Sequence, residues 1–169
     1  MSSGYGDDAA VDSITSRGRD WPCLRQFVVF LENKVGSLHT LLRKVERDDL
    51  KIMAMSILDS SDSAIARLIT NNYERTLELL QLSGLPFSEC EVIGVLLPDV
   101  DQPHSNICGG IMTAELNVHY FYPLMYRRDR RGAVALYVDD VDEALRVLKE
   151  QHHEFVTEDD LMEYDDMFG

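Results

Sequence analysis

Two kinds of apolar spacing alternate along this chain. From Leu24 to Leu31 the run LRQFVVFL crowds Phe and Val together, the pattern of a mostly buried strand. After the polar break Glu32-Asn33-Lys34 and the turn Val35-Gly36 the period changes. Leu38, Leu41, Leu42 and Val45 fall at i, i+3, i+4 and i+7 and predict a helix from about Gly36 to Asp48, with Arg43, Lys44 and Glu46 on its polar side. A strand through Ile52, Met53, Ala54, Met55 and Ile57 follows, then a hairpin turn at Asp59-Ser60-Ser61-Asp62. On the returning strand Ile65, Arg67 and Ile69 share one face, and Ala66, Leu68 and Thr70 the other. Asn72 is placed to cap a helix from Tyr73 to Leu82, and Gly84 to end it in the left-handed conformation. Residues 87–98 read as another long strand.

The second half repeats the programme. PHSNICGGIMTAEL predicts a short helix with Ile107, Ile111 and Leu116 inward, NVHYFYPLMYRR a strand, and Asp129-Arg130-Arg131-Gly132 a turn into the partner strand AVALYVDD. Asp140 caps VDEALRVLKEQ, with Glu143 placed to complete a capping box, and HHEFVTEDDL closes the unit. Strand, helix, strand, strand, helix, strand, read twice, gives an α+β protein of two ferredoxin-like βαββαβ units with antiparallel sheets. The expected boundaries are 24–91 and 92–161, joined without a spacer because SECEVIGVLLP contains none. Both helices of such a unit lie on one sheet face, so the other face needs a cover. Residues 1–23, rich in Gly, Ser and Asp, read as disordered or loosely packed, and 162–169 as an acidic tail. The stretch 158–166, with six acids and no base, reads as solvated and fraying, though Met162, Tyr164, Met167 and Phe168 leave a docking role open.

Charge narrows the partners. Thirty acids against 16 bases give a formal net charge of −14, which argues against nucleic acid and anionic membranes, since both reward basic surface. The basic cluster YRRDRR, Tyr126 to Arg131, sits at a hairpin tip and reads as a solvated turn or a dock for an acidic neighbour. Three scattered cysteines, Cys23, Cys90 and Cys108, fit buried thiols in a reducing compartment. With neither a signal-peptide pattern nor an apolar run long enough to span a bilayer, a cytoplasmic protein is expected.

Catalytic patterns are missing from the sequence: HExxH, CxxC, GxSxG, P-loop and GxGxxG do not occur. His152-His153, read at the start of a strand, would point to opposite faces and make a poor metal site. Neither catalytic residues, a metal nor a cofactor is expected. Gly109-Gly110 weakens its helix and implies close packing or close approach of a ligand. In HYFYP, Tyr120 and Tyr122 alternate with His119 and Phe121, so one set faces away from the helices and calls for cover by another sheet or subunit.

The loop at residues 32–38 raises the functional question. A strand passing so abruptly into a helix leaves N–H groups from Gly36 to Leu38 unpaired beside Asn33, and either water or a carboxylate can take them. The stretch VVFLENKVGSLHTLLRKVERDDLKI resembles the opening strand, loop and helix of an ACT domain, a regulatory module that binds amino acids in many metabolic enzymes. VIGVLLPDVDQP and LNVHYFYPLMYRRDRRGAVALYVDDVDEALRVLKE resemble a second unit, and residues 24–161 together are similar to stand-alone tandem ACT proteins. The resemblance implies a non-catalytic regulator that binds a free amino acid or similar small molecule, forms a homodimer, and serves a metabolic enzyme or other regulatory partner protein. Carried onto this chain, its ligand loop falls on Asn33, Lys34, Val35, Gly36, Ser37 and Leu38, with Val35 where proline is usual. The strand Met55, Ser56 and Ile57 would shape the pocket. Asp101, Gln102, Pro103 and His104 form a possible second site, with His104 in place of glycine. The alternative reading is a dimeric interaction module with vestigial ligand loops.

Overall fold

A computed structural model describes residues 22–164. The expectations for residues 1–21 and for 165–169 lie outside the described residues. Twelve elements follow in order: β1 (Leu24–Glu32), α1 (Ser37–Val45), β2 (Ile52–Asp59), β3 (Ser63–Thr70), α2 (Tyr73–Ser83), β4 (Phe87–Leu96), α3 (Pro103–Met112), β5 (Val118–Arg128), β6 (Arg131–Val138), α4 (Val141–Glu150), β7 (Phe155–Val156) and α5 (Glu158–Glu163). The strands form one antiparallel sheet in the order β2-β3-β1-β4-β6-β5, with β7 also on β4. Twice over, this is the ferredoxin-like α+β arrangement expected from the alternating periods.

Strand β4 belongs to both halves. Its first part pairs with β1, from Val29↔Phe87 to Leu24↔Val92. Its second part pairs with β6, from Ile93↔Leu136 to Leu96↔Ala133, and with β7 at Gly94↔Val156. A Cβ on Gly94 would sit 2.8 Å from the Leu24 side chain and 2.9 Å from the Val156 carbonyl oxygen, so only glycine fits where the pairing of β4 passes from β1 to β7.

Three cores hold the molecule together. Phe27, Val29, Leu41, Val45, Leu68 and Leu80 pack under α1 and α2, and Ile93, Ile107, Ile111, Leu136, Leu145 and Leu148 under α3 and α4. The third core lies between the inner faces of the two half-sheets, where Leu24, Ile69 and Val92 of the first half meet Tyr122, Leu124 and Tyr126 of the second. The two ends of the sheet, β2 and β5, come into contact as it curls. The helix-free faces thus cover each other within one chain, and of the two covers expected, another sheet or a subunit, the first half-sheet supplies the one over Tyr122. Gln26, fully buried at this seam, donates to the Tyr120 hydroxyl at 2.8 Å and to Cys90 Sγ at 3.2 Å, and accepts from the Tyr122 hydroxyl. Every polar group of its amide therefore has a partner, as burial demands.

Several local expectations need correction. α1 ends at Val45 rather than Asp48, because Leu50 has to be buried and the chain turns back through an Arg47–Leu50 backbone pair. Asp140 does accept from the Glu143 N–H at 3.0 Å, but the Glu143 carboxylate is held by Arg146, leaving half a capping box. The complete box is at Thr157 and Asp160, at the start of α5. Residues 158–164 are accordingly no fraying tail. Leu161 is buried, Glu158 accepts from Arg25 Nε at 2.8 Å, and the Tyr164 ring lies 4.9 Å from that of Tyr126. His152 and His153 lie in the turn after α4 instead of a strand, His152 with φ 64°, and the closing strand β7 has just two residues.

Candidate functional site

The loop between β1 and α1 is built by its own hydrogen bonds. Asn33 Nδ2 donates to Asp59 Oδ1 and to the Ser60 carbonyl oxygen, each at 2.7 Å, which pins the loop to the β2–β3 hairpin. The Lys34 N–H donates to the Glu32 carbonyl at 2.9 Å and the Ser37 N–H to the Lys34 carbonyl at 3.2 Å, closing a tight turn. Gly36, at φ 88°, stands in the left-handed region as the N-cap of α1, and a Cβ there would meet nothing within 4 Å. Lys34 pairs with Glu32, and Val35 projects fully into solvent.

Two of the expected donors are therefore already engaged. The Asn33 amide and the Ser37 N–H serve the loop itself. No side chain caps α1, and among the described residues no acceptor takes the N–H groups of Gly36, Leu38 or His39. His39 was missed in the sequence, although the signal is visible: a glycine N-cap has no oxygen to offer the third helical N–H. Those N–H groups and the positive end of the helix dipole make the loop receptive to an anion.

The neighbouring wall comes from β2. The register Met55↔Leu68 and Ile57↔Ala66 puts Met55 and Ile57 on the helix side of the sheet. They remain 40% and 41% exposed, an apolar surface near the Asn33-anchored hairpin. Ser56 pairs with Arg67 and so shares the opposite, inner face. Its expected part in shaping this pocket is corrected by that alternation.

The second loop is built differently. Asp101 and Gln102 are exposed; Gln102 is the N-cap of α3 without a side-chain cap bond, and Pro103 takes the first helical position. The His104 ring stacks on Phe121 with centroids 5.6 Å apart, over a small cleft bounded by Ile107, Cys108, Val134 and Leu136. In the first unit, Met55 and Ile57 of β2 remain partly exposed on the corresponding side of the sheet.

Other sequence candidates are accounted for by structure. A Cβ on Gly110 would meet the end of the Gln151 side chain, at 1.9 Å from its Oε1, so that glycine gives the Gln151 amide its place against α3. Gly109 has open space instead. Burial raises the Cys90 and Cys108 thiols above their ordinary pKa, the opposite of an activated thiolate. His119 pairs with Asp139 and stands apart from His104 in its contacts. Arg131 meets Glu154, and Arg128 donates to the Phe155 carbonyl at 2.8 Å, so half of the basic hairpin is tied to its own chain. No group of three or more potential metal ligands occurs among the described residues. None of their helices is long and apolar enough to cross a membrane.

Two ferredoxin-like halves sharing a sheet, each with a loop at a helix start, define a paired regulatory fold. A family model described as an ACT domain pair matches residues 23–165, and the chain belongs to that family. The family is a regulatory module without catalytic machinery, and the protein is not an enzyme. Among solved structures, protein BT0572 from Bacteroides thetaiotaomicron is similar over 85% of this chain and 98% of its own, with 21% identity and a TM-score of 0.76. The regulatory subunit of aspartate kinase from Thermus thermophilus, in its ligand-free form, aligns over 76% of this chain and 92% of its own, with 10% identity and a TM-score of 0.50. At such identities both likenesses speak for the fold alone. No curated protein matches the sequence.

Proposed function

We propose that the protein binds a free amino acid, or a close relative, at the first-unit loop and reports its presence through the packing of units 24–91 and 92–161. The reading rests on one observation: the N–H groups of Gly36, Leu38 and His39 have no acceptor among the described residues, in a loop already held in shape by Asn33. An α-carboxylate would take those N–H groups. Met55 and Ile57 would contact an uncharged side chain. Lys34, Val35 and Ser37 shape the turn, while Asp101, Gln102, Pro103 and His104 form the weaker site because His104 already stacks on Phe121. The protein would act in the cytoplasm as a homodimer beside a metabolic enzyme or regulatory partner.

The test is a thermal-shift screen of the twenty amino acids at millimolar concentration, with Gly36→Asp in parallel. One or a few amino acids should raise the melting temperature of the wild type and leave the variant unmoved. A screen with no shift would defeat the reading. Light scattering across micromolar concentrations checks the dimer, and a constant monomer mass would remove it.

The second reading, an interaction module with vestigial loops, draws on the filled second loop and on the fully exposed Val35. It predicts an empty screen and a dimer that persists.

A further inference from the structure

The second half-sheet covers the first unevenly. Leu24, Gln26, Ile69 and Val92 lie beneath it. Further along the same face, the register Phe30↔Ile65↔Leu58 and Val28↔Arg67↔Ser56 places six side chains on β1, β3 and β2 at the margin of that cover, where Tyr120 of the second half reaches Arg67. Phe30 is 44% exposed and Leu58 53%, with Val28 and Ile65 half-buried beside them. A sheet face carrying this much uncovered apolar surface is a candidate interaction site.

Arg67 supplies the second observation. Five arginines among the described residues are half-buried: Arg25, Arg67, Arg75, Arg128 and Arg131. Four of them have a carboxylate within 4 Å, at Glu158, Asp49, Asp160 and Glu154 respectively. Arg67 has none among the described residues, although acids outnumber bases 30 to 16 in the chain. Its guanidinium lies 4.0 Å from the centre of the Tyr120 ring, across the seam between the halves. That stacking uses the flat face of the guanidinium and leaves its N–H edge free for a carboxylate.

We propose that this open half-face docks an extended segment of a partner protein, one that sets a carboxylate between apolar side chains. The carboxylate pairs with Arg67, and the apolar side chains lie on Phe30, Leu58, Ile65 and Val28. β4 flanks β1 on this face with the exposed Ser88 opposite Val28, so the platform is an open strip of sheet on which one extended segment can lie. An open sheet surface encloses a small molecule poorly, which favours a peptide over a metabolite. A second copy presenting the same face brings another Arg67 and no acid, because none of the six positions is Asp or Glu. The platform is separate from the first-unit loop, and its occupancy does not depend on amino-acid binding there.

The experiment uses the full chain, fluorescently labelled, against an array of eight-residue peptides. These carry Leu or Phe at alternate positions and Asp, Asn or Lys between them, and hits are titrated by anisotropy. Asp peptides should bind, with the Asn and Lys versions about tenfold weaker or worse, the scale of one hydrogen-bonded ion pair at a half-exposed rim. Arg67→Gln should abolish the preference for Asp, and Leu58→Ser should weaken all binding. Leu58 is exposed enough for its variant to fold, which circular dichroism verifies, so failure of Arg67→Gln to fold leaves the test intact. Absence of binding, or an Asp preference that survives Arg67→Gln, would overturn the proposal. So would a concentration-dependent mass lost in Leu58→Ser without peptide binding, which points to a second copy. Benzoate at millimolar concentration displacing every peptide through Arg67 would assign the site to small carboxylates instead.

Discussion

The loops that begin α1 and α3 occupy matching places in the two halves of the molecule, yet they differ in what fills the space beside them. In the first, Gly36 turns the backbone left-handed, no side chain caps the helix, and Met55 and Ile57 stand open. In the second, Pro103 fixes the first helical residue and the next side chain, His104, lies over Phe121. One loop leaves N–H groups without an acceptor among the described residues; the other sets a side chain beside its helix start. Duplication of a fold evidently preserves the strand register more strictly than the use made of its loops.

The difference can be broken most forcefully at Gly36. A ligand at a hundredfold excess over its Kd stabilises the fold by about 2.7 kcal/mol, and Gly36→Asp should remove that shift entirely. The same variant should cost about 1 kcal/mol without ligand, since a Cβ is disfavoured at φ 88° even where nothing blocks it. Chemical denaturation with and without the effective amino acid separates the two effects.

Opening the second loop is the converse. Phe121→Ala should destabilise the protein by about 1–2 kcal/mol, less than a fully buried Phe because the ring is 40% exposed. If the His104 stack is what fills that ground, the thermal-shift screen repeated on Phe121→Ala should show no loss of the wild-type response, and His104→Gly should cost less than Phe121→Ala.

The ends of the second helix in each half sharpen the contrast further. α2 ends in Gly84 at φ 73°, whereas the turn after α4 places His152 at φ 64°. His152→Gly should stabilise by about 0.5–1 kcal/mol, measured as a higher denaturation midpoint.

The smallest effect concerns pH. Burial lowers the pKa of His153 below its ordinary value of about 6.5. The unfolded chain then binds this proton more readily than the folded one, so His153 leaves stability intact above the unfolded pKa and subtracts from it as pH falls below. Melting curves from pH 7.5 to 5 should decline less steeply in His153→Gln, and identical slopes would contradict the assignment.

Much of this was legible in the sequence because it depends on local periodicity. Asn72 accepts from the Arg75 N–H at 3.0 Å and Gly84 is left-handed, as composition and position foretell. The i, i+3, i+4, i+7 ladder of α1 buries Leu41 and Val45. Tertiary choices were not legible. Whether Glu143 completes a cap or pairs with Arg146 is a contest between two contacts of similar strength. Six acids between 158 and 166 suggest a solvated tail, but Arg25, more than a hundred residues away in sequence, holds Glu158 and brings Leu161 inward. Likewise, the alternation of Tyr120 and Tyr122 shows that one set needs cover without saying that Gln26 and the first half-sheet provide it.

A strand shared between two halves also has consequences during synthesis. The first half can close its hydrogen-bonded ladder once Val92 has left the ribosome, yet Leu24, Gln26, Ile69 and Val92 remain bare until β5 and β6 arrive. At about 5–20 residues per second, the roughly 45 residues from Val92 to Val138 take about 2–9 s to make. Throughout that interval a nascent chain carries an uncovered apolar sheet with a buried-type glutamine at its centre, long after its own strands could have paired. Early folding and late protection are thus separated in time by the order of the sequence, and the hairpin β5–β6 acts as the chain's own delayed chaperone.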